Sequence, residues 1–122
     1  MRSLIGLGGA GTKIVERLQQ INSSYSTFTI DTSGNPNFLY KVQPDWNELQ
    51  IEEAFPVEEL KRRTSALEWP RCLFLAGGGN TSICALRVLE ALSDRPINVV
   101  YVLPDQTFLS PKAKLLEKMT FG

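Results

Sequence analysis

Hydrophobic and polar positions divide the chain into short apolar runs and longer stretches in which apolar residues recur every three or four positions. Four short runs predict β-strands, at residues 3–6, 27–31, 71–76 and 97–103. The run at 27–31 alternates and is rich in β-branched and aromatic residues, which is typical of strands. The last two runs are apolar almost throughout, and such runs indicate strands buried on both faces of a parallel sheet.

The longer stretches predict helices. In residues 11–21 the apolar side chains of Ile14, Leu18 and Ile21 fall on one face, and polar side chains cover the other. Similar stripes predict helices at 56–67, 81–92 and 110–119. Residues 38–55 give only a weak pattern, and we expect irregular structure there with a short helix or strand.

Strands that alternate with helices predict an α/β fold. We expect a doubly wound, Rossmann-like and mainly parallel sheet with helices on both faces. The 122 residues are enough for one domain. Because the last predicted strand would be an unprotected edge of the sheet, we expect the chain to be the N-terminal part of a longer protein.

Composition and charge narrow the classes of function. Lysine plus arginine and aspartate plus glutamate both number 13, so no basic face for nucleic acid is expected. The chain has no histidine, which excludes Ser-His-Asp and Cys-His nucleophile systems and histidine metal sites. The sequence shows neither a secretory leader nor a membrane span. We therefore expect a cytoplasmic protein in which Cys72 and Cys84 are buried free thiols.

A glycine-rich turn follows the first predicted strand. Residues 6–11 match the pattern G-x-G-x-x-G and open the first predicted helix, and Asp31 lies 20 residues further on, at the end of the second strand. Such a turn brings the backbone close to a phosphate and points helix N–H groups at it. Four glycines in six positions also cost backbone entropy that a turn without a ligand does not need.

A second glycine-rich turn, at residues 77–82, follows the third predicted strand. It offers backbone N–H groups and the hydroxyls of Thr81 and Ser82 as donors. Neither turn is a Walker loop, since no G-K-[ST] follows. Because both turns lie at the carboxyl ends of strands, we expect one site that holds a polyphosphate from both sides.

These two turns resemble those of the tubulin/FtsZ family of nucleotide-binding proteins. Residues 6–11 are similar to that family's opening G-x-G-G-x-G loop, and residues 77–82 to its G-G-G-T-G-[ST]-G signature. Residues 28–32 and 100–104 are similar to its second strand and to the strand and loop beside the ribose. The chain departs from the signature at Asn80, Thr81 and Ile83, which replace its threonine, fourth glycine and last glycine.

The resemblance implies that GTP or GDP is bound, with Mg²⁺ held through the nucleotide. GTPase activity and filament assembly are implied only for a longer protein, because the family's acidic hydrolysis loop would lie beyond residue 122. No catalytic or metal-ligating residue is therefore assigned. The expected nucleotide-binding residues are Gly8, Gly9, Ala10, Gly11, Thr12, Asp31, Gly77, Gly78, Gly79, Asn80, Thr81, Ser82 and Pro104.

Two alternatives stay open. An NAD(P)- or FAD-binding Rossmann domain of an oxidoreductase explains the first turn, with Asp31 on the adenosine ribose, but leaves the second turn unexplained. The other alternative is a non-catalytic α/β interaction module, in which neither glycine-rich turn binds a ligand. Trp46 and Trp69 are expected to be packing residues rather than stacking platforms.

Overall fold

A computed structural model of the chain describes residues 3–77 and 80–102. Five parallel strands form one sheet in the order β3-β2-β1-β4-β5. This confirms the doubly wound α/β class, because the strand order reverses at β1 as in a Rossmann-like sheet. The strands are β1 (Ser3–Leu7), β2 (Ser26–Asp31), β3 (Phe38–Leu39), β4 (Arg71–Ala76) and β5 (Asn98–Val102).

Helices cover both faces of the sheet. Those of the described residues are α1 (Gly8–Ile21), α2 (Glu48–Glu53), α3 (Val57–Thr64), α4 (Asn80–Ile83) and α5 (Ala85–Leu92). The connection from β1 to β2 runs along the sheet in one direction, and those from β3 to β4 and from β4 to β5 run in the other. Since such crossovers are right-handed, α1 lies on one face and the remaining helices lie on the opposite face.

Alternate residues of the central strands enter two separate cores. On the α1 face, Leu4, Cys72 and Phe74 pack with Val15 of the helix. On the other face, the core contains a larger set: Ile5, Leu7, Ile30, Leu73, Leu75, Leu60, Val88 and Leu92. The strands β1 and β4 are therefore buried on both sides, which confirms the prediction for β4. The same prediction was wrong for β5, the last strand of the described sheet, because Asn98 and Val100 are exposed.

The weakly patterned segment 38–55 contains two elements, the short strand β3 and the helix α2. The strand pairs Phe38 with Ile30. Its approach is fixed by Asn37, whose Oδ1 accepts from Thr29 N at 2.9 Å and whose own N–H donates to Thr29 Oγ1 at 3.0 Å. This side-chain link, rather than any apolar periodicity, sets the register of β3.

Three helices differ from the predicted ones. The helix predicted at 56–67 ends at Thr64, three residues early. The first helix begins at Gly8, three residues before the predicted start at Gly11, so most of the glycine turn is helical. The predicted helix at 81–92 is divided at Cys84, whose N–H bonds to Thr81 O in a tighter turn. The predicted helix at 110–119 lies outside the described residues.

Candidate functional site

The two glycine-rich turns leave the sheet side by side. The strands β1 and β4 are neighbours, and Gly6 pairs with Phe74, so Gly8 and Ala76 lie at the same height along the sheet. This is also the point at which the strand order reverses. In open α/β sheets, a crevice forms beyond the carboxyl ends of the strands at such a point.

The first turn of α1 presents backbone donors at this crevice. The helix follows Leu7, which is extended (φ −107°, ψ 120°) and makes no side-chain cap. Because the first four N–H groups of a helix have no intrahelical acceptor, those of the first turn need partners from elsewhere. Gly9 and Ala10 are exposed, and no acidic side chain occupies the turn. The turn is thus an electropositive helix end that is open to solvent.

Three glycines of the first glycine-rich turn (residues 6–11) are required by packing within the protein. A Cβ at Gly11 would lie 2.3 Å from Phe74 O, and one at Gly6 would lie 2.7 Å from Gly11 O. These contacts bring α1 directly onto the backbone of β1 and β4. Gly8 has φ +77°, and a Cβ there would lie 2.5 Å from Thr81 Oγ1. The fold therefore explains these three positions without a ligand.

Gly9 is different from the other glycines of this turn. A Cβ there would meet no atom of the described residues within 4 Å, and its φ is outside the left-handed region. Glycine in a helix costs about 0.5–1 kcal/mol relative to alanine. Because nothing in the described protein requires this cost, Gly9 marks a place where a ligand backbone or phosphate has room to approach.

The second glycine-rich turn (residues 77–82) contacts the first glycine-rich turn through Thr81. Gly77 forms a bend after β4, and α4 begins at Asn80. Thr81 is partly buried and places Oγ1 against Gly8, as described above. Ser82, which was predicted to donate its hydroxyl to a ligand, is buried, with 3% of its surface exposed. The predicted binding residues Gly78, Gly79 and Pro104 lie outside the described part of the chain.

Of the predicted binding residues on the β1–β2 side, Thr12 lies in α1 against Gly6 of β1, and Asp31 ends β2. Thr12 Oγ1 is buried and has no hydrogen-bond partner among residues 3–77 and 80–102, a situation that costs about 1–3 kcal/mol. Asp31 is the last residue of β2 and is partly exposed, and its Oδ1 accepts from Thr32 N at 2.7 Å. Since neighbouring strands lie about 4.8 Å apart, this carboxylate stands one strand away from the end of β1.

A cavity of about 450 Å³ lies next to Asp31, at the carboxyl ends of β2 and β3, and we call it the edge cavity. It was not predicted from the sequence, because its walls come from the weakly patterned segment that follows β3. The only local signal was Trp46, an aromatic residue in an otherwise polar stretch. The lining residues are Thr32, Ser33, Val42, Gln43, Pro44, Trp46 and Ile51.

The two cysteines of the chain are structural rather than reactive. Cys72 and Cys84 are buried free thiols, as predicted. Burial raises the pKa of both, and that of Cys84 reaches about 12, with Glu52 adding to the effect. Neither is therefore a thiolate nucleophile at neutral pH. Residues 3–77 and 80–102 hold no group of three or more metal-ligating side chains.

No protein-family model, no curated protein and no solved structure matches the chain. Among the helices of the described residues, none has both the length and the apolar character needed to cross a membrane. The function is therefore inferred from the geometry at the carboxyl edge of the sheet.

Proposed function

We propose that the crevice between the carboxyl ends of β1 and β4 binds the phosphates of a nucleotide, with GTP as the expected ligand. The main support for this proposal is the free space at Gly9. This exposed glycine lies in the first turn of a 14-residue helix, and no described protein atom lies within 4 Å of the position that a Cβ would take there. A phosphate oxygen is the kind of group that uses both the free space and the unpaired N–H groups.

The surroundings of Gly9 support an anionic ligand. The helix dipole places partial positive charge at this end, and no carboxylate in the first turn opposes an anion. Thr81, on the second turn, lies next to Gly8 and adds a hydroxyl at the edge of the same crevice. In this proposal Gly9 and Ala10 donate backbone N–H groups, while Gly6, Gly8 and Gly11 only shape the turn.

The identity of the nucleotide rests on the resemblance to the tubulin/FtsZ family. On that resemblance GTP or GDP is bound, and Mg²⁺ arrives with the phosphates, held mainly by their oxygens and by water. GTPase activity and filament assembly are proposed only for a longer protein that contains this domain.

A dinucleotide is the alternative ligand, and the position of Asp31 favours it. The residue ends β2, the strand next to β1, on the same edge of the sheet as the glycine turn. In Rossmann domains that bind NAD, an acidic residue at this place accepts a hydrogen bond from the 2′-hydroxyl of the adenosine ribose. This alternative assigns no role to the second glycine turn.

Calorimetric titration with GTP, NADH and inorganic tripolyphosphate, each with Mg²⁺, tests the proposal. A negative charge at position 9 would repel a phosphate while suiting the helix dipole. The variant Gly9→Asp should therefore keep its fold and lose at least tenfold in affinity for both GTP and tripolyphosphate. The matched control is Ser23→Asp, which adds the same charge in an exposed turn near the start of β2 and should bind normally.

The other outcomes separate the alternatives. GTP binding that is equal in Gly9→Asp and in the wild type would remove α1 from the phosphate site. NADH binding that is lost in Asp31→Ala, without GTP binding, would support the dinucleotide. Absence of binding by all three ligands would favour the non-catalytic interaction module.

A further inference from the structure

The segment that walls the edge cavity is acidic, although the chain as a whole is neutral. Residues 31–55 contain five carboxylates and one cation, which gives the segment a net charge of −4. The whole chain, with 13 basic and 13 acidic residues, has a net charge of zero. A surface of this charge repels phosphates and nucleic acids and attracts cationic groups. The carboxylates are Asp31, Asp45, Glu48, Glu52 and Glu53, and the cation is Lys41.

Two of these carboxylates stand at the cavity and on the helix that follows it. Asp45 is exposed and lies between Pro44 and Trp46, which both line the cavity. Glu53, the last residue of α2, is also exposed. Neither carboxylate forms an ion pair with another of residues 3–77 and 80–102. Both are therefore open to a cation from another molecule.

Apolar surface lies beside these charges. The edge cavity has a volume of about 450 Å³ and an apolar wall formed by Val42, Pro44, Trp46 and Ile51. Leu49 of α2 is 61% exposed, and Glu53 lies four residues further on, on the same face of the helix. We call the edge cavity together with Asp45, Leu49 and Glu53 the acidic docking face.

Hydrogen bonds hold the acidic docking face in place. The N–H of Trp46 donates to Gln43 O at 3.1 Å, which closes the turn that carries the indole. The helix α2 begins with a reciprocal cap, in which the side chains of Asn47 and Gln50 each accept from the other's backbone N–H. Trp46 packs against the larger core, as expected, but it is partly exposed and also lines the cavity. A rigid face loses little conformational entropy when it binds.

The spacing of the charges indicates an elongated ligand. Asp45 precedes α2 and Glu53 ends it, and a six-residue helix is about 9 Å long. A ligand confined to the cavity would leave Leu49 and Glu53 without a contact, because neither lines it. A helix that lies across the face presents side chains at intervals of one turn, about 5.4 Å. Amphipathic helices bind grooves in this way, through apolar residues three to four positions apart.

We propose that the acidic docking face binds a basic, amphipathic helix of a partner protein. One apolar side chain of that helix enters the cavity against Trp46, a second packs on Leu49, and lysines or arginines lie at Asp45 and Glu53. Charge complementarity selects this partner, because the face repels anionic ligands and an uncharged helix would leave its carboxylates unpaired. The assignment is separate from the phosphate site, since Gly9, Ala10 and Thr81 lie outside the docking face.

Tryptophan fluorescence tests the proposal with a synthetic peptide made only of leucine and lysine, in which the leucines have helical spacing. The control peptide has glutamate in place of each lysine. The chain has only two tryptophans, so Trp69→Phe leaves Trp46 as the single reporter. Its fluorescence should change when the lysine peptide is added and stay constant with the glutamate peptide. In Trp46→Phe the remaining Trp69, which precedes β4 at the amino end of the sheet, should respond to neither.

Charge reversal at the docking face supplies a second readout. The double variant Asp45→Lys/Glu53→Lys should bind the lysine peptide at least tenfold more weakly, since like charges then face each other. The matched control is Glu16→Lys/Glu68→Lys, which makes the same change in charge at two exposed positions elsewhere and should bind like the wild type. Calorimetry measures the affinities, and far-ultraviolet circular dichroism confirms that both variants are folded.

A change at the exposed leucine of α2 tests the apolar contact. The variant Leu49→Ser should bind the lysine peptide about fivefold more weakly, because it loses an apolar side chain that the peptide covers. The control is Leu86→Ser, which makes the same change at a leucine of α5 that is 48% exposed. This control should bind like the wild type.

Four results would contradict the proposal. The docking face is wrong if the two double variants bind the lysine peptide equally, or if the glutamate peptide binds as tightly as the lysine peptide. Absence of binding between the lysine peptide and the wild-type chain would overturn it as well. If the chain instead associates with itself in sedimentation velocity, and Asp45→Lys/Glu53→Lys abolishes that association, the occupant is a second copy rather than a partner protein.

Discussion

The two ends of the parallel sheet differ in what their polar groups contact. At the amino end of β4, polar groups bond to one another and close the protein surface. At the carboxyl ends of β1 and β2, the exposed residues Gly9 and Ala10 and the edge cavity leave space that the described protein does not fill. The amino end of the sheet therefore holds helices together, whereas the carboxyl end leaves space in which a ligand could bind.

Arg71 is the centre of the amino end. It is 3% exposed, and its guanidinium donates to Thr64 O at 2.9 Å, Leu67 O at 3.0 Å and Leu92 O at 3.2 Å. Thr64 and Leu92 are the last residues of α3 and α5, so one cation satisfies the free carbonyls of two helix ends. Only its Nε lacks a partner within the described chain.

The largest expected effect follows from breaking this amino-end cluster. Replacing Arg71 with methionine keeps the side-chain length but leaves buried carbonyls without donors. We expect the free energy of unfolding, measured by urea denaturation, to fall by about 3–5 kcal/mol. The control is Arg95→Met. Arg95 is exposed, and its guanidinium lies 4.5 Å from the centre of the Trp69 ring, over which that of Arg71 also lies, at 4.1 Å. The control should lose no more than about 1 kcal/mol, and equal losses in the two variants would refute the role given to Arg71.

A smaller effect distinguishes two glycines within one helix turn at the carboxyl end. Gly11→Ala would force a Cβ to within 2.3 Å of Phe74 O, whereas Gly9→Ala places its Cβ in open space. We expect Gly11→Ala to lower the free energy of unfolding by about 2–3 kcal/mol. Gly9→Ala should leave it unchanged or raise it by up to about 1 kcal/mol. Thermal and urea unfolding measure both values, and a strongly destabilised Gly9→Ala would mean that the fold itself needs Gly9.

The smallest effect concerns Cys84, which lies between α4 and α5 beneath the carboxyl end. An unfolded cysteine loses its proton near pH 8.5, whereas burial raises the pKa of Cys84 in the native protein to about 12. Between these values the native state binds more protons than the unfolded state. The stability contributed by Cys84 is therefore fully present below this window and falls as pH rises through it.

Because of Cys84, we expect the free energy of unfolding to decrease by about 1 kcal/mol between about pH 8 and about pH 9.5. Urea denaturation at the two pH values measures the decrease. In the variant Cys84→Ala, the free energy of unfolding should decrease less between these two pH values, by the amount that Cys84 contributes. If Cys84→Ala keeps the full dependence, the thiol is hydrated in the native protein, and the carboxyl end is open to water to a greater depth than the structure indicates.

The strands show how far the fold could be predicted from the sequence. Apolar runs identified β1, β4 and β5, and alternation identified β2, because strand side chains that enter a core produce such patterns. The run of β5 nevertheless overstated its burial, since Asn98 and Val100 are exposed in this last strand of the described sheet. A short helix or strand was expected in residues 38–55, but β3 could not be located there because two residues are too few for a periodic pattern. The edge cavity was not predicted, because its walls come from the same weakly patterned segment.

The candidate site was predictable only in part. The pattern at residues 6–11 predicted a glycine-rich turn, and the presence of four glycines in it was interpreted as evidence for a ligand. The structure assigns Gly6, Gly8 and Gly11 to close packing against Gly11 O, Thr81 and Phe74 O, and leaves Gly9 alone as unexplained by the fold. Nothing in the sequence distinguishes these positions, since each role depends on an atom contributed by another part of the chain.

The alternation of strands and helices can be predicted from the chain alone, because that pattern comes from side chains within a few residues of one another. The position of β4 beside β1, with Gly6 opposite Phe74, could not be predicted, and it is this pairing that brings the two glycine turns together. The two features differ in how far apart along the chain the interacting residues are. Local periodicity sets which face of an element is apolar, whereas the choice of neighbouring strand depends on the handedness of the crossovers and on packing between residues far apart in the chain.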